Sequence, residues 1–377
     1  MFSFIVLYRN RDIERVQRCL QSIENQTYQD FEVIFLDYGS EPTHKTAVEN
    51  LCKQNPKIRY VYANTRGLFW CRSHALNLGV AAASRQYMII VDIDIIYCPH
   101  FAAYLVEKVN PKTFFNYACY YLPESYTNYN SLDYNKLYDY KVSDFSGAGL
   151  LIAAKEALNE VNGFDTIFKI WGFEDIDMYY RLRNLGYEDK RISIADLPTF
   201  HQWHKSVSHI ESMPKSWLEF MRAFWETKHK GAKPHTAIEL LLDLANRPAL
   251  QLYDNQRLNL VYQSFEYPLY KSYLEFTTKF QALQAGESMQ VKQSFEAIPQ
   301  QALSFTARFF KKMNQVLEKF NISYRVTEIL VFEKELIEFY QVRDFIFYFL
   351  YAYEAQIADY YWKQTELEMI EFIVVKK

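Results

Sequence analysis

Tyr87-Met-Ile-Ile-Val-Asp-Ile-Asp94 decides how this chain is read. Five apolar residues in a row fit a strand buried on both faces, and the two acids after them mark its carboxyl end. The same pattern repeats toward the N-terminus. Phe2–Tyr8 (FSFIVLY) is a continuous apolar run, Phe31 to Leu36 a second, and Ile58 to Tyr62 a third. Helical periodicity separates them. Asp12 opens a stretch with Ile13, Val16, Leu20 and Ile23 on one face; further helices are expected around 43–54 and 70–83. Strands and helices alternating at this length predict right-handed βαβ units, hence an α/β, Rossmann-like, mostly parallel sheet flanked by helices. Ligands bind such sheets beyond the carboxyl ends of the strands, where Asp37 and the Asp92/Asp94 pair lie.

Toward the C-terminus the pattern changes. Residues 111–140 dissolve into a Tyr- and Asn-rich stretch, and Gly147 and Gly149 reopen order before a short strand at Leu150 to Ala153. Helices are expected at 155–161, at 174–186 with a stop at Gly186, and near 214–228, with a strand-like Arg191 to Ala195 between the last two. Lys228-His-Lys-Gly-Ala-Lys-Pro234 reads as a linker, which divides the chain into domains at 1–232 and 233–377. Beyond it, helix-period segments at Ile238–Leu244, Phe305–Phe320 and Glu333–Tyr353, with few strand or turn signals, predict a mainly α-helical C-terminal domain. Such a domain suits self-association, docking of a partner enzyme or contact with a membrane face.

Bulk composition excludes several classes. The 377 residues allow two domains with proper cores, and the net charge of −3 gives no electrostatic case for nucleic acid. Five cysteines without CxxC spacing read as free thiols of a reducing compartment. An N-terminus charged by residue 9 does not read as a signal peptide, and the apolar run Phe345 to Tyr353 is too short for a bilayer. These point to a cytoplasmic protein, with peripheral contact at the inner membrane face left open. No GxxxxGK loop is present, against a P-loop kinase or ATPase. The 31 Tyr and 29 Phe fit ordinary packing, and equally the stacking of sugar rings on aromatic faces.

Three clusters carry chemistry. In Asp92-Ile-Asp94 one carboxylate can hold a divalent ion and the other a ribose or a water, since Mg²⁺ and Mn²⁺ favour oxygen ligands shared with diphosphate. Glu174 and Asp175 open a helix after Trp171-Gly172. Acids there complement the helix dipole, and a carboxylate beside an exposed aromatic also suits a general base at a sugar site. Asp177 reads as surface or capping. His201-Gln-Trp-His204 supplies two imidazoles as candidate metal ligands, while His209 is given no role. Acid pair, acid pair and histidines in that order suit a metal-dependent enzyme acting on a phosphorylated donor.

Taken jointly, several blocks over residues 2–210 resemble a GT-A glycosyltransferase of the family 2 kind, nearest the β-1,4-galactosyltransferase type. Tyr8-Arg-Asn-Arg11 resembles F-R-N-R; Phe69-Trp-Cys-Arg72 with Ala75-Leu-Asn-Leu-Gly79 resembles F-N-R-A-x-L-x-N-x-G; Asp92-Ile-Asp94 resembles D-x-D. Ser146-Gly-Ala-Gly149, Asn162-Gly-Phe164 and Trp171-Gly-Phe-Glu-Asp175 resemble G-G, N-G-F and W-G-G-E-D, with Phe173 in place of the second glycine. Asp37-Tyr-Gly-Ser40 lacks the second acid of D-D-G-S.

The resemblance implies Asp175 as catalytic base and Asp94 as metal ligand, with His204 first and His201 second as histidine ligand to Mn²⁺ or Mg²⁺. It implies Arg9, Arg11, Asp37, Arg72 and Asp92 at the nucleotide donor, and Trp171, Gly172 and Glu174 at the acceptor or sugar. The implied reaction moves a hexose or N-acetylhexosamine, galactose or N-acetylgalactosamine favoured, from a UDP-sugar to an oligosaccharide or glycolipid hydroxyl, with inversion, in surface-polysaccharide or lipooligosaccharide synthesis. The alternatives are a retaining transferase of the same fold and a non-catalytic scaffold in a glycan-assembly complex. The Tyr-rich stretch 117–140 reads as an acceptor lid.

Overall fold

The computed structural model describes residues 1–143, 150–170, 172–204, 215–228, 260–262, 264–266, 269–295, 339–365 and 368–377. The chain divides into two compact units, Met1–Gln251 and Leu252–Lys377. The expected boundary at 232/233 lies outside the described residues, as do the segments Ile238–Leu244 and Phe305–Phe320.

In the first unit the elements run β1 (Phe2–Tyr8), α1 (Ile13–Glu24), β2 (Phe31–Tyr38), α2 (Pro42–Cys52), β3 (Ile58–Ala63), α3 (Arg72–Ala82) and β4 (Tyr87–Val91). They continue with β5 (Ile95–Tyr97), α4 (Phe101–Val106), β6 (Thr113–Tyr117), β7 (Tyr120–Tyr121), β8 (Leu151–Ala154), α5 (Lys155–Glu160), α6 (Glu174–Asn184), β9 (Glu188–Ile192), β10 (Thr199–His201) and α7 (Lys215–Lys228). Seven strands form one sheet in the order β3-β2-β1-β4-β8-β6-β9. β1 to β4 pair in parallel, β8 runs antiparallel to β4 and β6, and β9 is parallel to β6. This is the expected mostly parallel sheet.

Local chemistry accounts for the elements. Every residue of β1 and β4 is buried, as strands covered by helices on both faces must be. The Asp12 side chain caps α1 by accepting from Arg15 N at 2.9 Å, and the helix buries Val16, Leu20 and Ile23. Gly79 lets α3 lie directly on β1: a Cβ there would come within 2.5 Å of the Ile5 side chain.

Two expectations are corrected. Within the stretch read as irregular, Thr113-Phe-Phe-Asn-Tyr117 is a fully buried strand inside the main sheet. The tyrosines around it mask its apolar character in sequence. The strand expected at Arg191 to Ala195 sits earlier, at Glu188–Ile192.

The second unit departs further from expectation. It contains α8 (Leu269–Ala282) and α9 (Phe339–Ala352), yet also a four-stranded sheet of β11 (Leu260–Tyr262), β12 (Ser288–Ser294), β13 (Ile357–Thr365) and β14 (Met369–Lys376). A mainly α-helical domain is therefore not what its described residues form; they are mixed helix and sheet. Phe276 and Phe349 from the helices pack on Phe372 of β14, and Phe280 packs on Phe349, so the aromatic run holds the unit's own core. Among the described residues no helix is long and apolar enough to cross a membrane.

Candidate active site

The site is built where β4 ends. A second, three-stranded sheet in the order β5-β10-β7 begins there, and β10 runs antiparallel to β5 with His201 opposite Ile95. That register places His201 beside Asp94, and Gln202 N donates to the Asp94 carbonyl at 2.8 Å to hold the crossing. His204 Nε2 lies 3.0 Å from Asp94 Oδ2, and His201 Nε2 lies 3.5 Å from Oδ1. One ligand atom from each of Asp94, His201 and His204 falls within 4.8 Å of the others. Asp94 Oδ1 is buried and accepts no hydrogen bond among the described residues. Two imidazole nitrogens and a carboxylate oxygen with an unused lone pair are a donor set that fits a divalent cation. Burial works to raise the Asp94 carboxyl, but His201 and His204 outweigh it and hold it down at about 2.

Arg72, the first residue of α3, joins this turn to the second acid pair. Its Nη2 meets Asp92 Oδ1 at 2.8 Å and its Nη1 meets Glu174 Oε1 at 3.5 Å. Burial alone would lower the guanidinium's affinity for its proton, yet Asp92 and Glu174 raise it, so Arg72 stays charged. Glu174 and Asp175 are both buried at the start of α6. Burial first, then the charge of Asp175, push the Glu174 carboxyl up to about 7 against the pull of Arg72. Asp175 Oδ1 accepts from Ile176 N at 2.7 Å, the N-terminal position that complements the helix dipole.

The segment leading into α6 is strained. Ile170, Gly172 and Phe173 all have positive φ, at 73°, 92° and 74°. For Phe173, standing where the resembled block has glycine, that conformation costs about 1–3 kcal/mol. Its ring lies 6.4 Å from that of Trp225 on α7, with the Arg222 guanidinium 5.9 Å from its centroid. Trp171 and residues 147–149 lie outside the described residues.

Asp177, read from sequence as surface or capping, is instead fully buried and paired with Arg181 at 2.7 Å. Arg181 Nη1 donates to the carbonyls of Val161 and Gly163, each at 2.7 Å, so this pair clamps the Asn-Gly-Phe turn to α6. Asn77 ties the same turn to α3: its amide donates to Phe164 O at 2.8 Å and accepts from Phe164 N at 2.7 Å. Asn77 and Arg181 both lay within or near quoted blocks, but nothing in their spacing announced the clamp.

The other donor-side residues lie along the strand ends. Asp37 is buried at the end of β2, accepting from Tyr60 Oη at 2.8 Å and Ser40 N at 2.9 Å. Gly39 makes that turn with φ of 75°, where a Cβ would meet the Arg66 backbone at 2.4 Å. Arg9 follows β1 and donates to Leu68 O at 2.9 Å, while Arg11 is exposed. The Tyr-rich stretch is tied shut at its base by Tyr121 N to Lys141 O at 2.8 Å and Ser143 N to Cys119 O at 2.9 Å. Its rings pack on Phe200 of β10 through Tyr120, Tyr134 and Tyr138, so it forms a second small core rather than a free lid.

Residues 3–150 match the family described as Glycosyl transferase family 2, and residues 130–206 match the N-terminal domain of galactosyltransferase. The chondroitin synthase of Pasteurella multocida (strain Pm70) is 27% identical over 215 residues, and a Pasteurella multocida hyaluronan synthase 28% over 220. Those alignments take in 46% and 48% of this chain but only 22% of each relative, so the chain spans about a fifth of their length. A crystal structure of GalNAc-T7 with UDP, GalNAc and Mn²⁺ aligns with a TM-score of 0.46 at 15% identity, covering 67% of this chain and 55% of that one. Residues 3–206 are thus similar, in one continuous stretch that holds the parallel sheet and both acid pairs, to family 2 glycosyltransferases and, in their latter part, to the N-terminal domain of galactosyltransferase.

Proposed function

We propose that this chain is a glycosyltransferase that moves a hexose or N-acetylhexosamine, galactose or N-acetylgalactosamine first, from a UDP-sugar to an oligosaccharide or glycolipid hydroxyl with inversion. One observation carries the reading: Arg72 spans the two acid pairs, so a diphosphate near Asp92 and Asp94 and an acceptor near Asp175 share one site. Asp175 takes the proton of the acceptor hydroxyl; the oxygen attacks the anomeric carbon as the bond to the diphosphate breaks, and UDP leaves. Glu174, raised by burial and by the charge of Asp175, is the carboxyl of the pair assigned to hold a proton, and Asp175 is assigned as the base. Arg72 stays cationic beside the leaving group, with Arg9 and Arg11 on the donor side and Asp37 at the base. Glu174, Gly172 and Trp171 are assigned to the sugar and acceptor.

A Mn²⁺ or Mg²⁺ ion on Asp94, His204 and His201 would supply positive charge to the departing diphosphate. Two imidazoles in the set favour Mn²⁺, since Mg²⁺ takes mostly oxygen ligands. The relatives named as chondroitin and hyaluronan synthases support a glycan as acceptor. The second unit is assigned to self-association or docking of a partner enzyme, which sedimentation of the full chain tests. The primary experiment incubates the chain with a panel of nucleotide sugars and Mn²⁺ and follows release of the nucleoside diphosphate. Turnover of a UDP-hexose or UDP-N-acetylhexosamine, with an inverted product anomer by NMR, is the expected result. A retained anomer replaces the single displacement with a retaining mechanism. Donor binding with no turnover on any acceptor favours the scaffold.

A further inference from the structure

Gln202 lies between the two histidines of the site and is completely buried. Its backbone N–H and both polar atoms of its side chain are each used. The backbone N–H donates to the Asp94 carbonyl at 2.8 Å, the side-chain Oε1 accepts from Arg18 Nε at 2.6 Å, and Nε2 donates to the Arg15 carbonyl at 3.1 Å. Arg15 and Arg18 belong to α1, which follows directly on the segment bearing Arg9 and Arg11. Arg18 in turn stands over the ring of Tyr129, 4.3 Å from its centroid, in the Tyr-rich segment. A single side chain thus fastens the Asp94 turn, the histidine segment, α1 and the tyrosine core together.

We infer that Gln202 is a positioning residue for the cation site: it sets the orientation of His201 and His204 toward Asp94 by locking their backbone to α1. The inference rests on the metal reading of Asp94, His201 and His204 given above. The two imidazoles project from residues immediately before and two residues after Gln202, and their rings lie 5.1 Å apart. Tyr121 walls His201 from the far side at 5.0 Å. On the near side, rotation of the segment is opposed by the Gln202 amide, whose oxygen and nitrogen are each committed to a different partner on α1. Groups that orient metal ligands in this way typically change metal affinity about 10–100-fold when removed.

The test titrates the full chain with Mn²⁺ alone by calorimetry and measures the Mn²⁺ dependence of donor turnover in parallel. Gln202→Ala is expected to weaken Mn²⁺ binding about 10–100-fold, with the Mn²⁺ needed for half-maximal turnover rising by the same factor and saturated kcat changing far less. Gln202→Glu still accepts from Arg18 and is expected to recover most of the affinity. Arg18→Met, on a partly exposed side chain, removes the same tether from the helix side and is expected to weaken Mn²⁺ about fivefold, one hydrogen bond's worth. That variant decides the matter if Gln202→Ala does not fold. Folded Gln202→Ala or Arg18→Met with wild-type Mn²⁺ affinity overturns the inference. A wild-type chain that takes up no Mn²⁺ overturns the metal reading itself, and with it this one.

Discussion

Two acid pairs stand within reach of one arginine, and the surroundings drive one carboxyl of each, Asp94 and Glu174, in opposite directions. At the β4–β5 turn, Asp94 faces two imidazoles and is held low, at about 2. At the start of α6, Glu174 is buried against the negative charge of Asp175 and is pushed up to about 7. In sequence the pairs look alike in chemistry, each two carboxylates within three residues. The difference lies in what faces them: cationic or nitrogen donors in one case, apolar burial and a second carboxylate in the other. The first arrangement suits gripping a cation, the second suits proton transfer, which is how one fold separates electrostatic from acid–base work.

The contrast breaks most sharply by removing the proton acceptor. Asp175→Asn is expected to lower turnover about 10²–10⁴-fold while leaving the donor Michaelis constant near wild type. Steady-state kinetics at saturating Mn²⁺ read both, and equal loss in donor binding would merge the two pairs into a single donor site. The scaffold behind the α6 pair comes next. Arg181→Met leaves Asp177 buried without its partner and is expected to cost about 3–5 kcal/mol, read from the denaturant midpoint. Because Arg181 also holds the Val161 and Gly163 carbonyls, a shift under 1 kcal/mol, about a factor of five in the folding equilibrium, would show the clamp to be decorative.

A pH series sharpens the comparison with a smaller effect. Glu174 binds its proton more tightly folded than unfolded, with Asp175, Asp92 and Arg72 the charges around it. The folded state therefore holds more protons between about pH 4.5 and pH 7, and this group's contribution to stability falls as pH rises through that window. Glu174→Gln is expected to remove that fall; melting temperatures across the window that decline as in wild type would contradict it. The smallest effect concerns the entry to α6. At Phe173, with φ of 74°, glycine should be better tolerated than alanine by about 1 kcal/mol, since alanine loses the ring and keeps the strain. Chemical denaturation of Phe173→Gly and Phe173→Ala side by side measures the difference.

Much of the first unit was legible because its determinants are local. Buried apolar runs, an Asp cap at residue 12 and period-3.6 faces mark β1 to β4 and α1 to α3 without reference to anything distant. Strand β6 was not legible, because Thr113-Phe-Phe-Asn-Tyr117 carries neither a clean alternation nor a helical stripe, and the strands of the second unit stand among longer helix-period segments. There the pairing partner, not the segment, decides between strand and coil. The Asp92/Asp94 pair, His201 and His204 could be named as candidates from residue type and spacing, and the resemblance singled out Asp94. That both histidines come together on one carboxylate depends on β10 pairing with β5 in one register, since a one-residue slip would turn His201 to the other face.

The amino-acid sequence by itself determined the α/β core and the kinds of side chain available for chemistry, since strand burial, capping and residue type act over a few neighbours. Only the tertiary structure decided that Arg72 bridges both acid pairs, that Asp177 is a buried clamp and that Gln202 fastens the histidines. Those outcomes depend on long-range packing, which brings side chains far apart in the chain to hydrogen-bonding distance and sets the burial that tunes their charges.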